Sequence, residues 1–198
     1  MGFRWLILPP TALLLVALGA FALQHHSHAE AAEFPSGFNP YLHRTNGELA
    51  DPINLIFRGS LPAAESVVQQ VLGWQPTQGS QMIFDDRSGQ HGASAQFAFN
   101  LANGSRYHMR LGAVEEIDGQ SYVLAAVHRD DMTACGHVGH NFNQVRDLVA
   151  SAFAQAGYPN TRIDLKNTTP GLQCDGSYSS GDGYAVIVNL THTPAAAR

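Results

Sequence analysis

The sequence predicts an α+β fold: a two-layer sandwich in which two helices cover one face of an antiparallel sheet. Two units of one plan carry this expectation. A β-type run, a polar capping position, an amphipathic helix and a Gly-aromatic stop occur at residues 53–74 and again at 121–158. Alternating segments between and after them complete a β-α-(β)-β-β-α-β order, the split βαβ (ferredoxin-like) plan. A sandwich with another strand order satisfies the same pattern and is the alternative.

In chain order, Ile53 to Arg58 is a short apolar run closed by Gly59-Ser60. Ser60 suits the N-cap of the next helix, Pro62 fits its first turn, and Glu65 suits its positive end. Leu61, Ala64, Val67, Val68, Val71 and Leu72 fall on one helical face, and Gly73-Trp74 supplies the stop. Strand candidates follow at Gln81 to Phe84, Ala95 to Asn100, Arg106 to Gly112 and Ser121 to Arg129, with Gly119 in the turn before the last. A polar loop then leads to a helix starting near Asn141. Its stripe is Phe142, Val145, Leu148, Val149, Ala152, Phe153 and Ala156, ended by Gly157-Tyr158. Arg162 to Leu165 and Gly183 to Thr191 are the final strands, and the Gly/Ser-rich stretch 176–183 reads as a hairpin connection.

This expected domain covers 47–192, with a tail at 193–198. Residues 1–23 read as a signal peptide or a single N-terminal membrane anchor, because Arg4 is followed by an uncharged stretch from Trp5 to Leu23. Residues 24–46 lack periodicity and read as a linker, in which His25, His26 and His28 have no preformed geometry for a metal. An exported location, periplasmic or extracellular, follows. There Cys135 and Cys174 are expected to form a disulfide.

Composition narrows the function. The 198 residues carry a net charge of −5, and the 11 basic residues are scattered, which argues against nucleic acid as a partner. No P-loop, dinucleotide fingerprint or nucleophile elbow is present, and the paired H-x-[ST] pattern of one phosphoesterase class is absent. Histidine is the surplus, with ten residues.

Alternation places Arg106, His108 and Arg110 on one face of their strand. Arg58 and His128-Arg129 close neighbouring strands, so an Arg/His surface for an anionic group is one reading. The other is a solvated strand face whose charges pair with Glu115, Glu116 or Asp118. The segment 128–140 is densest in reactive side chains: His128, Asp130, His137 and His140 are of the type that binds zinc or another divalent metal, and Asp131 lies among them. An acid-base role and loop-fixing hydrogen bonds compete with that reading. Enzymatic chemistry requires at least three of His108, His128, Asp130, Asp131, His137 and His140 to converge in one concave site.

The stretches Asp51-Pro-Ile-Asn-Leu-Ile-Phe-Arg-Gly-Ser60 leading to Gly73-Trp74, Arg106-Tyr-His-Met-Arg-Leu111, and His140 through Arg146-Asp147 resemble the LssY C-terminal-like domain family. The resemblance spans most of residues 45–192. It places His108, Arg110, His140, Arg146 and Asp147 in the family's polar motifs and carries no settled activity. Fused relatives bear membrane phosphatase-type segments, which these 198 residues lack, so their chemistry lends nothing here. The expectation is an accessory domain of the cell envelope, non-catalytic and without an obligatory cofactor. It binds an anionic ligand, or a membrane or cell-envelope protein, through Arg58, Arg106, His108, Arg110 and Arg146. A metal-dependent or His-based hydrolase is the rival.

Overall fold

The computed structural model describes residues 40–192 apart from 79–81, 87–88 and 94. The expected signal or anchor, the linker up to residue 39 with its three histidines, and the tail 193–198 lie outside the described residues. All described residues belong to one compact unit, 31–198. Among them no helix is long and apolar enough to cross a membrane.

The elements in order are β1 (Tyr41–His43), β2 (Leu49–Pro52), β3 (Leu55–Arg58), α1 (Leu61–Val67, continued by a π-helical turn Val68–Leu72), β4 (Gln75–Pro76), β5 (Ile83–Asp86), β6 (Gly89–Gly92), β7 (Ala95–Asn100), β8 (Arg106–Ile117), β9 (Gln120–Thr133), β10 (Gly136–His140), α2 (Phe142–Gln155), β11 (Asn160–Asn167), β12 (Gly171–Leu172), β13 (Tyr178–Ser179) and β14 (Gly183–Asn189). The fold is α+β, as the sequence predicts, and both helices lie where the sequence places them, although Asn141 at the start of α2 makes no side-chain capping bond. The Ser60 hydroxyl accepts from the Ala63 N–H, and Gly73 closes the first helix in the left-handed region. Gly157 N–H donates to the Ala154 carbonyl and Tyr158 N–H to that of Phe153, the Schellman pair that Gly-aromatic endings favour.

Three expectations are corrected. The large sheet is mixed, in order β11-β14-β3-β9-β8-β7-β4, with β10 paired to β9. In the split βαβ plan the strand after the second helix lies beside the first strand. Here β14 inserts between β11 and β3 and runs parallel to β3, Val186 opposite Leu55. Composition explains the placement. β14 buries Ala185, Val186 and Val188, so it takes an interior position, whereas polar β11 takes the edge.

Second, the fold has a third layer, and the sandwich is not two-layered. Leu55, Phe57, Met109, Val123, Ala125, Val127 and Val188 pack against Val67, Val68, Val145, Val149 and Phe153 of the helices. The opposite face, with Ile56, Leu124, Ala126, Ile163 and Ala185, is covered by Leu42, Ala50, Met82 and Phe84 from a four-stranded sheet of order β2-β1-β5-β6. A side chain on Gly112 would occupy the Phe84 ring, which is how closely the two sheets approach. Third, residues 41–46 are no linker, because β1 pairs with β2 and buries Leu42.

Two side chains tie the layers. Asn54 Nδ2 donates to the Val127 and Phe142 carbonyls and its Oδ1 accepts from Val127 N–H, joining β9 to the start of α2. Arg146 is fully buried on α2, bidentate to Asp182 at 2.6 and 3.0 Å, and also donates to Asp147 and the Tyr184 carbonyl. Burial alone would raise the Asp182 carboxyl, but Arg146 and Arg162 hold it below the ordinary range. Cys135 and Cys174 form the expected disulfide, Cα–Cα 5.9 Å across 39 residues.

Two predictions follow from these ties. Replacing both cysteines by serine removes a loop closure of 39 residues, expected to cost about 4 kcal/mol by chain entropy. Urea denaturation of the two forms measures it, and detectable free thiols in the native protein would refute the bond itself. Asp182→Asn leaves a buried guanidinium undercompensated and is expected to cost about 3 kcal/mol. Because the folded Asp182 pKa lies below the unfolded one, its contribution is full above the unfolded value and disappears as pH falls through the folded value. The wild-type acid limb should therefore flatten in Asp182→Asn, and an unchanged limb would contradict the assignment.

Candidate functional site

The site grows from the pairing of β8 with β9. Arg106 lies opposite Asp130, His108 opposite His128, and Arg110 opposite Ala126. Alternation puts these side chains on the face away from the helices, the face the small sheet covers. They are therefore enclosed, and the expectation of a solvated strand face is corrected: His108, Arg110, His128 and Asp130 are all buried.

Asp130 sits at the centre. Its Oδ2 accepts from Arg106 Nε at 3.0 Å, its Oδ1 lies 2.7 Å from His128 Nε2, and His108 Nδ1 and His137 Nδ1 lie 3.2 and 3.6 Å from Oδ2. Burial alone would raise its pKa, but contacts with His108 and His128 more than offset this and hold the carboxyl far below the ordinary range. Burial pushes His108 down to about 4, with Arg110 and His128 acting in the same direction against the pull of Asp130. His108 is thus neutral at pH 7, its Nε2 3.1 Å from Gln96 Oε1. Asp51 on β2 pairs with Arg110 and lies 3.8 Å from His128 Nδ1.

A cavity of about 230 Å³ opens on this cluster. Arg44, Asp51, Arg106, Arg110, His128 and Asp130 line it, and the β9–β10 turn with His137, the disulfide and Gln173 completes its wall. Gly139 belongs beside His128, since a Cβ there would approach the imidazole and the Phe142 ring within 3.2 Å.

Of the expected ligand-binding residues, Arg106, His108 and Arg110 come together. Arg58 is eight residues away along β9, opposite Tyr122, where it donates to Gln120 Oε1. Arg146 is engaged with Asp182 and Asp147. Of the expected metal ligands, His128, Asp130 and His137 join the cluster. His140 does not: the segment 136–140 is strand β10 rather than a loop, and alternation turns His140 toward Arg129 and Asp131. Three of the reactive residues therefore line one concave site, with His108 directly behind them. Sequence reasoning missed Arg44, Asp51, Gln96 and Gln173. In the sequence Asp51 figures only as the first residue of the stretch 51–60, and its pairing with Arg110 spans 59 residues with no local sign.

Chemically, the site offers guanidinium donors to an anion and imidazole and carboxylate atoms to a cation. One ligand atom from each of His108, His128 and Asp130 lies within 4.8 Å of the others. No family model, curated protein or solved structure matches the chain.

Asp130→Asn removes the charge round which Arg106 and three imidazoles are grouped. Breaking such a buried pair on one side is expected to cost about 3 kcal/mol or more. Denaturant titration at pH 7 checks this, and a loss below about 1 kcal/mol would mean that the carboxylate organises nothing.

Proposed function

We propose that the chain is an exported domain of the cell envelope that binds a small oxyanion, such as a phosphate or carboxylate group, in this cavity. One observation carries the reading. The Nε atoms of Arg44 and Arg110, both on lining residues, are buried without a hydrogen-bond partner. Leaving such a donor unsatisfied costs about 1–3 kcal/mol, more where the group is charged. An oxyanion in the cavity would offer acceptors to these guanidiniums after small side-chain adjustments, and its charge would meet three guanidiniums against two carboxylates. The disulfide supports an oxidising, exported setting. The N-terminal segment would then be the export signal or tether, and a membrane or envelope protein that presents the anionic group is a natural source of the ligand. The sequence resemblance to the LssY C-terminal-like family fits this reading and assigns it no chemistry.

A hydrolase is the second reading, favoured by the convergence of His128, Asp130 and His137 on the cavity. Asp130 would hold His128 through Nε2, leaving Nδ1 to take a proton from water.

Titration calorimetry of the oxidised, metal-free chain with inorganic phosphate and with acetate tests the binding reading. Saturable one-site binding of either is expected, weakened about tenfold or more by Arg44→Ala through loss of a charged hydrogen bond and unchanged by Arg58→Ala. Failure of both anions to bind at millimolar concentration, or full affinity in Arg44→Ala, would overturn it. Turnover of a phosphate or acetate ester, lost in His128→Gln, would establish the hydrolase instead.

A further inference from the structure

We propose that His108, His128 and Asp130 form a first-row divalent metal site, of the two-histidine, one-carboxylate type, at the floor of the cavity. It stands independently of oxyanion binding, because it rests on imidazole nitrogens and not on the arginines. The sheet builds the triad. His108 and His128 face each other across β8 and β9 with ring centroids 5.5 Å apart, and Asp130 follows two residues on, on the same face. Side chains standing on one pleated face at cross-strand and i+2 positions are within reach of a common centre. Their ligand atoms lie within 4.8 Å of one another. Around an ion held at about 2.0–2.2 Å, such atoms sit roughly 3–4 Å apart. Small rotamer changes close that gap.

The contacts around the triad are compatible with ligation. His108 Nε2 meets Gln96 Oε1 at 3.1 Å, a contact that suits the tautomer protonated at Nε2. His108 Nδ1 has no hydrogen-bond partner, although it lies 3.2 Å from Asp130 Oδ2. In the tautomer protonated at Nε2, Nδ1 would present its lone pair beside this oxygen, and a shared metal ion would take the place of the proton otherwise held between them. His128 differs, because the nitrogen that would ligate is hydrogen-bonded to Asp130, and an ion would replace that proton. Its Nε2 is 2.7 Å from Asp130 Oδ1, and its buried Nδ1, also without a hydrogen-bond partner, lies 3.8 Å from the Asp51 carboxylate. With a metal on Nε2, the Nδ1 proton would point to Asp51, the carboxylate-histidine-metal arrangement seen behind ligating imidazoles. Arg106 would then play the outer partner to Asp130. Arg106 and Arg110 repel a cation, but each is already paired, with Asp130 and with Asp51. His137, whose Nδ1 is 3.6 Å from Asp130 Oδ2, is placed to add a fourth ligand from the cavity wall. Two nitrogens and one oxygen suit zinc or iron(II) rather than calcium or magnesium.

The test uses the full oxidised chain, stripped with chelator, in phosphate-free buffer. His25, His26 and His28 are replaced by alanine to silence the N-terminal histidines. Titration with cobalt(II) is expected to give one ion per chain with visible d–d absorption, and zinc is expected to displace it and raise the melting temperature. His108→Phe, which keeps a buried ring but no ligand atom, is expected to lower cobalt affinity a hundredfold or more, and His137→Ala about tenfold. X-ray absorption of the bound cobalt reads the site without any variant in the triad, and two imidazoles from the triad, a third from His137 and no sulfur are expected. Absence of stoichiometric binding, undiminished affinity in folded His108→Phe, or a coordination shell with fewer than two imidazoles would overturn the site. Because the oxyanion titration is performed metal-free, either reading can fail while the other survives.

Discussion

Taking an ionised carboxylate out of water costs several kcal/mol even after the surroundings relax. A chain that buries Asp130 between two sheets must therefore supply donors from every side. Arg106 comes from the neighbouring strand, His128 from two residues back on its own strand, and His137 from the hairpin beyond. Each donor then imposes its own demand. The second nitrogen of His108 meets Gln96 on β7, and Asp51 on β2 lies 3.8 Å from that of His128. Asp51 in turn needs Arg110. The chain of obligations passes through four strands of the large sheet and the small sheet, so the polar cluster and the sheet-on-sheet packing depend on each other.

The same reasoning explains why the cluster lies at one end of the interlayer space. Further along β9, on the same face, Leu124 and Ala126 meet Ile56, Leu42 and Phe84 in an apolar core. Polar residues begin where the small sheet gives way to the turn 133–136 and the disulfide. The apolar layer excludes water from one side of the cluster and the cavity admits it from the other. In such a boundary, partial burial strengthens electrostatic contacts without sealing the groups away from a ligand.

The helices were legible in the sequence because their signals are local: a capping Ser60, a 3.6-residue stripe, and Gly-aromatic endings that form the expected turns. The strands were legible where alternation is strong, as in Arg106 to Leu111, and their parity placed Arg106, His108 and Arg110 on one face correctly. The layer covering that face was not legible. Its strands are three or four residues long, and residues 41–46 look polar and aperiodic even though Leu42 is fully buried. The extension of β9 to Thr133 and its hairpin with β10 escaped notice because the glycines at 136 and 139 read as loop. Gly139 is there to make room for the His128 ring, which is a tertiary demand. Reading the residues between Arg129 and Asn141 as a loop kept His137 and His140 together. As a strand, alternation separates them, and only His137 reaches the cluster.

The disulfide belongs to the same logic. Cys135 follows Thr133 in the β9–β10 turn and Cys174 follows Gln173, whose Oε1 accepts from Gly139 N–H beside His128. The bond therefore joins the tip of the β9–β10 hairpin to a wall segment that is only lightly held, since β12 has two residues and pairs with only two of β13. In a small domain the apolar core goes to holding three layers together, and little remains to fix a polar wall whose residues face water. A covalent link 39 residues apart in sequence restricts that wall where side-chain packing cannot. It does so next to the imidazole of His137, the cluster member most open to solvent. The cavity's shape near its mouth is thus set by chain connectivity, while its floor is set by the charge of Asp130.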